Sequence, residues 1–227
     1  MSDSFEMRPI ARIRSDFGSK FGVPRQSGLV DALEAAVVFE EPYRNPDALR
    51  GLEGFSHIWL IWAFHQSQRP EWSPTVRPPR LGGNQRVGVF ASRSPFRPNP
   101  IGLSSVRLDH IAYTDALGPV LHVRGADLVD GTPILDIKPY LPYADAHPEA
   151  LGGFTGNVGG KVLEVAFPPE LLGKVPEDKR EALTGVLSRD PRPSYQHDPD
   201  RVYGMAFAGL EVHFTVDGDV LHVRSVE

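Results

Sequence analysis

Six arginines lie close together in a stretch of the sequence that holds no other charged residue. Between Trp72 and Leu108 there is not one Asp, Glu or Lys, although the formal net charge of the protein is −5. Arginine offers a planar set of donors that fits carboxylates and phosphates, and a flat face that stacks on bases. We therefore predict that this stretch binds an anionic ligand; the alternative is a solvated basic loop. The six are Arg77, Arg80, Arg86, Arg93, Arg97 and Arg107.

A second group of ionisable residues lies between positions 127 and 140. Asp130-Gly131 is typical of a tight turn that joins two buried strands. Such a turn would bring four side chains to one rim of the fold: Asp127, Asp136, Lys138 and Tyr140. Such groups can hold hydroxyls, pair with arginines or supply a general base. We predict Asp130, Lys138 and Tyr140 as catalytic residues. Alternatively, Asp130 caps its own turn and Asp136 pairs with an arginine.

Two smaller polar segments are further candidates for a binding site. His65 and Gln66 follow a buried run that ends at Phe64. Residues 24–28 form a polar, turn-forming pentapeptide whose backbone amides can close on a ligand. His57, inside the buried run, is more typical of a core or interface histidine than of a ligand.

Several common catalytic motifs are absent from the sequence. No Gly-x-Gly-x-x-Gly occurs, and Gly156-Asn-Val-Gly-Gly-Lys161 lacks both the earlier glycine and the final hydroxyl of a phosphate-binding loop. The histidines form no His-Glu-x-x-His motif. With no cysteine in the chain, thiolate metal sites and a cysteine nucleophile are excluded. We expect no metal.

The composition is that of an ordinary globular protein. The chain has 227 residues, of which 41% are hydrophobic and 23% charged, which is enough to bury a core. The longest apolar run, residues 58–64, is far shorter than the roughly 20 residues that span a bilayer. The lack of cysteine is compatible with a reducing compartment. We therefore expect a cytoplasmic protein.

Short apolar runs separated by turn residues predict a mainly β fold in the first 145 positions. From this series of short strands we expect a small, closed or partly closed β-barrel, which removes exposed strand edges. No dinucleotide-type Rossmann motif is present. One short helix is predicted over residues 47–52, with Asn45 as its cap. The predicted strands lie at residues 9–13, 35–39, 55–64, 86–90, 105–108, 120–123 and 134–137.

A loop-like composition near residues 146–158 marks a boundary between two domains. We predict a catalytic barrel over residues 5–145 and a smaller α+β domain over residues 155–227. In the second domain the pattern indicates a strand at residues 161–167 and a helix at residues 177–187. Asp217-Gly218, between two alternating runs, is a strong signal for a β-hairpin.

Five blocks of the N-terminal part, taken in order, resemble the TrmO (YaeB/TsaA-like) family of tRNA methyltransferases. In the C-terminal part, Asp190-Pro-Arg192-Pro-Ser-Tyr195 is similar to a short motif of the bacterial members. The five blocks are Val23-Pro-Arg-Gln-Ser-Gly28, Arg77-Pro-Pro-Arg-Leu-Gly-Gly83, Gly88-Val-Phe-Ala-Ser-Arg-Ser94, Arg97-Pro-Asn-Pro-Ile-Gly102, and Asp127-Leu-Val-Asp-Gly-Thr-Pro133 with Asp136-Ile-Lys-Pro-Tyr140.

The resemblance implies an S-adenosylmethionine-dependent β-barrel enzyme that acts as a homodimer, with the cofactor near the subunit interface. The implied substrate is threonylcarbamoyl-adenosine at tRNA position 37, 3′ of the anticodon, methylated on N6. Ser27 stands where a proline is common in relatives. The implied cofactor site comprises Gln26, Ser27, Gly28, His65, Gln66, Arg93, Leu103, Arg124, Gly125, Ala126 and Asp127. The residues assigned to tRNA are Arg77, Arg80, Arg97, Arg192 and Tyr195.

Two other functions remain open at the level of sequence. One is a non-catalytic RNA-binding barrel, which should carry aromatic residues throughout its basic stretch; only Phe90 and Phe96 occur there. The other is a hydrolase or lyase for a small anionic metabolite. It should need a metal or a nucleophile with its base, and neither is evident.

Overall fold

The structure, a computed structural model, describes residues 4–67, 71–78, 81, 84–155, 162–193, 196 and 198–227. The strands in these residues are β1 (Ala11–Arg14), β2 (Glu34–Phe39), β3 (His57–Ala63), β4 (Thr75–Val76), β5 (Val87–Gly88), β6 (Ile101–Thr114), β7 (Gly118–Arg124), β8 (Pro133–Pro139), β9 (Glu164–Ala166), β10 (Tyr203–Phe207), β11 (Leu210–Asp217) and β12 (Val220–Val226). The α-helices are α1 (Pro142–Asp145), α2 (Pro169–Leu172) and α3 (Arg180–Ser188). Short 3₁₀ helices lie at Glu41–Tyr43, Pro46–Leu49, Leu52–Gly54, Val89–Ala91, Gly153–Thr155 and Glu177–Lys179.

Six antiparallel strands close into a barrel in the order β1-β2-β7-β6-β3-β8. The closing pair is β1 with β8, where Ala11 lies opposite Ile134. Closure pairs every strand on both sides and therefore leaves no exposed edge. Alternate side chains fill the interior, as Ala35, Val37 and Phe39 of β2 do. The predicted mainly β, non-Rossmann fold is confirmed.

Strands β3 and β6 approach each other closely at one point near an end of the barrel. There Trp62 lies directly opposite Gly102, and the indole covers the glycine so tightly that a Cβ would overlap the ring. A strand glycine often marks such a close approach. Phe64 packs against the Trp62 ring edge-on, with centroids 4.3 Å apart.

A second sheet, ordered β10-β11-β12-β9, forms the C-terminal part together with α3. Its strand β9 pairs in parallel with β12, while the other pairs are antiparallel. The apolar face of α3 buries Leu183 and Leu187 against the sheet. This α+β layer matches the predicted second domain in kind, while the exact limits of both domains stay a prediction.

The segment between β1 and β2 packs into the core of the C-terminal sheet, although it belongs to the N-terminal part of the sequence. Phe17 meets Phe207 edge-on at 5.5 Å between ring centroids, and Val30 and Leu33 lie in the same buried cluster. The backbone N–H of Ala208 donates to Asp16 at 2.8 Å. The two parts of the chain are therefore joined by a common apolar core.

Most of the predicted elements are confirmed, with different bounds. Strand β6 is far longer than its predicted four residues, and only two residues of the 86–90 run are strand before a 3₁₀ helix begins. Asn45 does cap the helix that follows, which is 3₁₀. The turn at Asp130-Gly131 does not join two strands, because residues 125–129 are irregular. Strand β10 was not predicted, and Lys161 lies outside the described residues.

No helix in the described part of the chain combines the length and the apolar character needed to cross a membrane.

We expect Gly102→Ala to lower the free energy of unfolding by about 1–3 kcal/mol, since the added methyl group overlaps the Trp62 ring. Gly54→Ala is the matched control, because a Cβ there would meet no atom within 4 Å. Urea denaturation measures both. Replacing Trp62 with Leu in the Gly102→Ala background should recover part of the loss. Equal losses at Gly54 and Gly102 would contradict the close approach.

Candidate active site

A cavity of about 610 Å³ opens at the end of the barrel where β3 ends, β6 begins and β8 begins. Its volume is in the range of cofactor and small-molecule sites. The walls combine aromatic and aliphatic side chains with a small number of polar groups. Among the lining residues are Lys20, Gln26, Trp62, Phe64, His65, Gln66, Ser92, Arg93, Arg97, Asn99, Leu103, Asp127 and Thr132.

A directed chain of hydrogen bonds ends on Asp127 in the cavity wall. The indole N–H of Trp62 donates to the hydroxyl of Ser104 at 3.0 Å, and that hydroxyl donates to Oδ1 of Asp127 at 2.6 Å. An indole nitrogen can only donate, so the single hydroxyl proton of Ser104 is left for the carboxylate. The hydroxyl of Ser104 therefore donates to Oδ1 of Asp127, and a proton on this carboxyl has to lie on its other oxygen.

The surroundings of Asp127 act on its pKa in opposite directions. Burial raises the pKa of the carboxyl and is the largest effect. The hydrogen bond from Ser104, the backbone N–H groups of Asp127 and Ser27, and the charge of Arg93 lower it by less. The pKa of Asp127 is thus above that of an exposed aspartate. A carboxyl of this kind at a cavity is a candidate for proton transfer.

The loop at residues 26–28 is fixed against the segment that carries Asp127. The N–H of Gly28 donates to the carbonyl of Gly125 at 2.9 Å. Both glycines have positive φ, 75° and 73°, a conformation that favours glycine. This pairing turns the N–H of Ser27 towards Asp127, while Gln26 accepts a hydrogen bond from Arg93.

The other side of the cavity carries His65, Gln66 and Leu103. Burial lowers the pKa of His65, and the charges of Arg12 and Lys20 lower it further, so the neutral imidazole is favoured at neutral pH. Leu103 is 49% exposed on the outer face of β6. Of the residues predicted for a cofactor, Gln26, His65, Gln66, Arg93, Leu103 and Asp127 line this one cavity.

The remaining predicted cofactor residues lie behind the cavity or away from it. Ser27 and Gly28 belong to the loop beside it, and Gly125 and Ala126 are buried under that loop. The guanidinium of Arg124 does not reach the cavity, because it pairs with Glu34 at 2.9 Å and Asp109 at 3.0 Å.

None of the three predicted catalytic residues lines the cavity. Strand β8 starts at the cavity and runs away from it, so Lys138 lies near its far end and Tyr140 lies just beyond that end. Lys138 pairs with Asp136 at 2.9 Å. Tyr140 packs on Trp59. The single rim predicted for Asp127, Asp136, Lys138 and Tyr140 is therefore wrong, because Asp127 lies at the cavity whereas the other three lie on β8 or just beyond its far end, away from the cavity.

Asp130 is close to the cavity in sequence but faces another way. Its Oδ1 accepts the backbone N–H of Ser15 at 3.1 Å, and its Oδ2 lies 3.6 Å from Arg14. These contacts tie the turn before β8 to the end of β1. The alternative predictions for the two aspartates, that Asp130 caps its own turn and that Asp136 pairs with an arginine, are also wrong. Asp130 instead accepts from the strand end at Ser15, and Asp136 pairs with Lys138.

The residues predicted to bind tRNA lie in different places: one at the cavity, one exposed on the surface and one buried. Arg97 lines the cavity and donates to the carbonyl of Ser92 at 2.8 Å, and Arg77 is exposed beside β4. Arg192 is only 8% exposed and holds Asp190 through two hydrogen bonds of 2.8 and 3.0 Å. Arg80 and Tyr195 lie outside the described residues.

Ser104 and Trp62 are the site residues that the sequence analysis missed. Ser104 occupies a buried position of β6 between Gly102 and Val106, where the alternation calls for an apolar side chain. A buried hydroxyl needs a hydrogen-bond partner. A serine at an apolar position of the strand pattern was therefore the sequence signal that could have identified Ser104. The identity of the partner depends on how the barrel brings β6 next to residue 127.

Comparison with known proteins gives matches over nearly the whole chain. The family description for the tRNA-methyltransferase O N-terminal domain matches residues 12–146, and that for the TrmO C-terminal domain matches residues 161–227. The tRNA (adenine(37)-N6)-methyltransferase of Escherichia coli K12 is 46% identical over 233 residues, which cover 99% of this chain and 98% of that protein.

Two further matches come from Pseudomonas aeruginosa. A protein named as a putative S-adenosylmethionine-dependent methyltransferase, RcsF, is 40% identical and covers 91% of this chain and 90% of its own length. A crystal structure of TrmO superposes with a TM-score of 0.79 at 33% identity, covering 99% of this chain and 100% of that one.

The raised pKa of Asp127 predicts how stability depends on pH. The folded protein holds this proton more tightly than the unfolded chain does. The wild type therefore loses stability as the pH rises from the ordinary aspartate pKa through the raised value. Asp127→Asn cannot ionise and escapes this loss. We expect its free energy of unfolding, relative to wild type, to increase from about pH 4 to about pH 8 in urea denaturation.

The exposed Asp115→Asn is the control for the general effect of removing an aspartate charge. A relative stability of Asp127→Asn that does not change over this pH range would show that burial does not govern this carboxyl.

Proposed function

Because this chain belongs to the tRNA-methyltransferase O (TrmO) family of tRNA (adenine(37)-N6)-methyltransferases, we propose a specific reaction for it. The chain transfers a methyl group from S-adenosylmethionine to N6 of threonylcarbamoyl-adenosine at tRNA position 37. The observation that carries this proposal is the cavity at the barrel end, where a carboxylate, Asp127, and a guanidinium, Arg93, share the wall with aromatic rings.

The residues of the cavity fit S-adenosylmethionine. Arg93 is placed to pair with a carboxylate, and Trp62 and Phe64 offer ring faces and edges to an adenine. The loop at residues 26–28, together with His65, Gln66 and Leu103, encloses the rest of the space. When bound, the cofactor supplies an electrophilic methyl group on a sulfonium centre.

We propose Asp127 as the base of the reaction in place of Asp130, which was predicted as a catalytic residue but does not line the cavity. The N6 of a ureido-like group is a weak nucleophile, and it must lose a proton when the new N–C bond forms. Asp127 lines the cavity, is held by Ser104, and has a pKa shifted towards the working range of a base. We therefore assign Asp127 as the acceptor of this proton, with Ser104 as a positioning residue.

The acid-free arginine stretch supports a tRNA substrate that carries an additional carboxylate. Arg97 reaches the cavity, whereas Arg77 lies exposed outside it. We assign Arg97 to the threonyl carboxylate beside N6, and Arg77 and Arg86 to phosphates. Arg80 and Tyr195 stay predictions, and the ion pair of Arg192 with Asp190 favours a structural role for that residue.

A homodimer and a cytoplasmic location also remain part of this proposal. The exposed apolar side chains of Ile101 and Leu103 on β6 support the dimer, because they lie on the rim of the cavity. A second chain there would cover apolar surface and close the site, as the resemblance to the family implies.

We expect calorimetry to detect binding of S-adenosylmethionine, and Arg93→Ala to weaken it by about 1.5–3 kcal/mol through loss of a charge-assisted contact. Arg124→Ala is the matched control, since that guanidinium pairs with Glu34 and Asp109 instead. A folded wild type that binds no cofactor at millimolar concentration would contradict the proposal. Equal losses in the two variants would remove Arg93 from the site.

We expect tRNA that carries threonylcarbamoyl-adenosine to be methylated at least about a hundredfold faster than the same tRNA without it. The unmodified base would leave a cavity arginine without its carboxylate, and an unpaired charge in a closed site is costly. Single-turnover methyl incorporation measures both substrates. Equal rates would mean that the arginines serve phosphates alone, and the substrate assignment would fail.

A further inference from the structure

Two exposed aromatic side chains lie stacked on each other beside the cavity. The rings of Trp72 and Phe90 are 6.3 Å apart between centroids and tilted by 23°. Phe90 is 71% exposed and Trp72 is 49% exposed. The antiparallel pair of β4 and β5 brings them together, because Trp72 precedes β4 and Phe90 follows β5. Neither ring serves the core of the protein.

The backbone under this aromatic pair is well anchored. Val89 is almost fully buried, and its N–H donates to the carbonyl of Pro74 at 3.0 Å. The hydroxyl of Ser92 donates to the carbonyl of Val89 at 2.8 Å, and the N–H of Ser73 donates to Phe96 at 3.1 Å. The rings are thus presented by a fixed turn, which reduces the entropy lost when a partner binds.

Arg97 links the aromatic pair to the cavity. Its guanidinium carbon lies 5.9 Å from the centroid of the Phe90 ring, within the range of a cation–π contact. The same side chain lines the cavity. If a base of a nucleic acid fills the cavity, the adjoining nucleotide therefore lies near the Phe90 ring.

The positive charge of the segment that carries Trp72 and Phe90 indicates an anionic partner. The sequence from Trp72 to Leu108 contains arginines and no acidic residue. Arg97 contacts the Phe90 ring, Arg86 donates to Thr75 of β4, and Arg77 directly follows β4. Flat apolar faces in a segment that carries these guanidinium groups match single-stranded RNA, in which bases stack and phosphates pair with cations.

We propose that Trp72 and Phe90 form a stacking surface for the nucleotides that adjoin the target base in the tRNA loop. The proposal rests on the proposed function, because it places the reacting base in the cavity. The base next to it stacks on Phe90, and Trp72 extends the surface outward. The aromatic pair thus supplies affinity for RNA that does not depend on salt.

The test uses Phe90→Leu and Trp72→Leu, which keep an apolar surface and remove the ring. We expect each to weaken tRNA binding about tenfold, since the loss of stacking on one aromatic side chain costs roughly fivefold to 150-fold in affinity. The slope of log Kd against log salt should not change. In contrast, Arg77→Ala should reduce that slope by about 0.7. Tyr113→Leu is the matched control, because that ring is 62% exposed on β6 outside the cavity.

Phe90→Trp and Trp72→Phe keep an aromatic ring and should restore tRNA affinity to near that of the wild type. Binding of S-adenosylmethionine should stay within about twofold in all variants. Unchanged tRNA affinity in both leucine variants would overturn the proposal. So would a fall in the dimer fraction by sedimentation that fully accounts for the loss, because the rings would then contact a second copy. These binding readouts need no turnover, so a wild type without methylation would count against the proposed function alone.

Discussion

The half-buried carboxylate of Asp127 is the constraint on which the cavity depends. Removing an ionised group from water is costly unless hydrogen bonds replace the water. Here the replacement comes from Ser104 of β6, from the N–H of Ser27 and from the nearby charge of Arg93. Each of these comes from a different element, so the carboxylate determines where three segments of the chain must meet.

The same constraint explains the unusual sequence of β6 near the cavity. Gly102 allows the Trp62 indole to lie flat over the strand, and the indole N–H then reaches Ser104. A larger residue at position 102 would displace the donor. Gly102, Ser104 and Trp62 thus form one arrangement that holds the carboxyl of Asp127 in the cavity wall.

The sequence predicted the barrel and most of its strands because alternation of apolar residues is a local property. The arginine stretch and the ionisable group at residues 127–140 also singled out Arg93 and Asp127, and the resemblance to a family added Gln26; all three line one cavity. The sequence analysis failed for Lys138 and Tyr140, since their distance from Asp127 depends on the direction in which β8 leaves the cavity. It missed Ser104 for a related reason. The partner of a buried hydroxyl depends on how strands that are distant in the sequence pair in the fold, and local sequence patterns do not give that pairing.

The core shared by the two parts of the chain has a consequence for synthesis in the cell. The loop with Gln26, Ser27 and Gly28 leaves the ribosome early, but Phe17, on the same segment, packs against Phe207 of β10. Contacts between residues so far apart in the sequence form late in folding. The segment that carries this loop therefore completes its packing only when β10, which is synthesised near the end of the chain, is present.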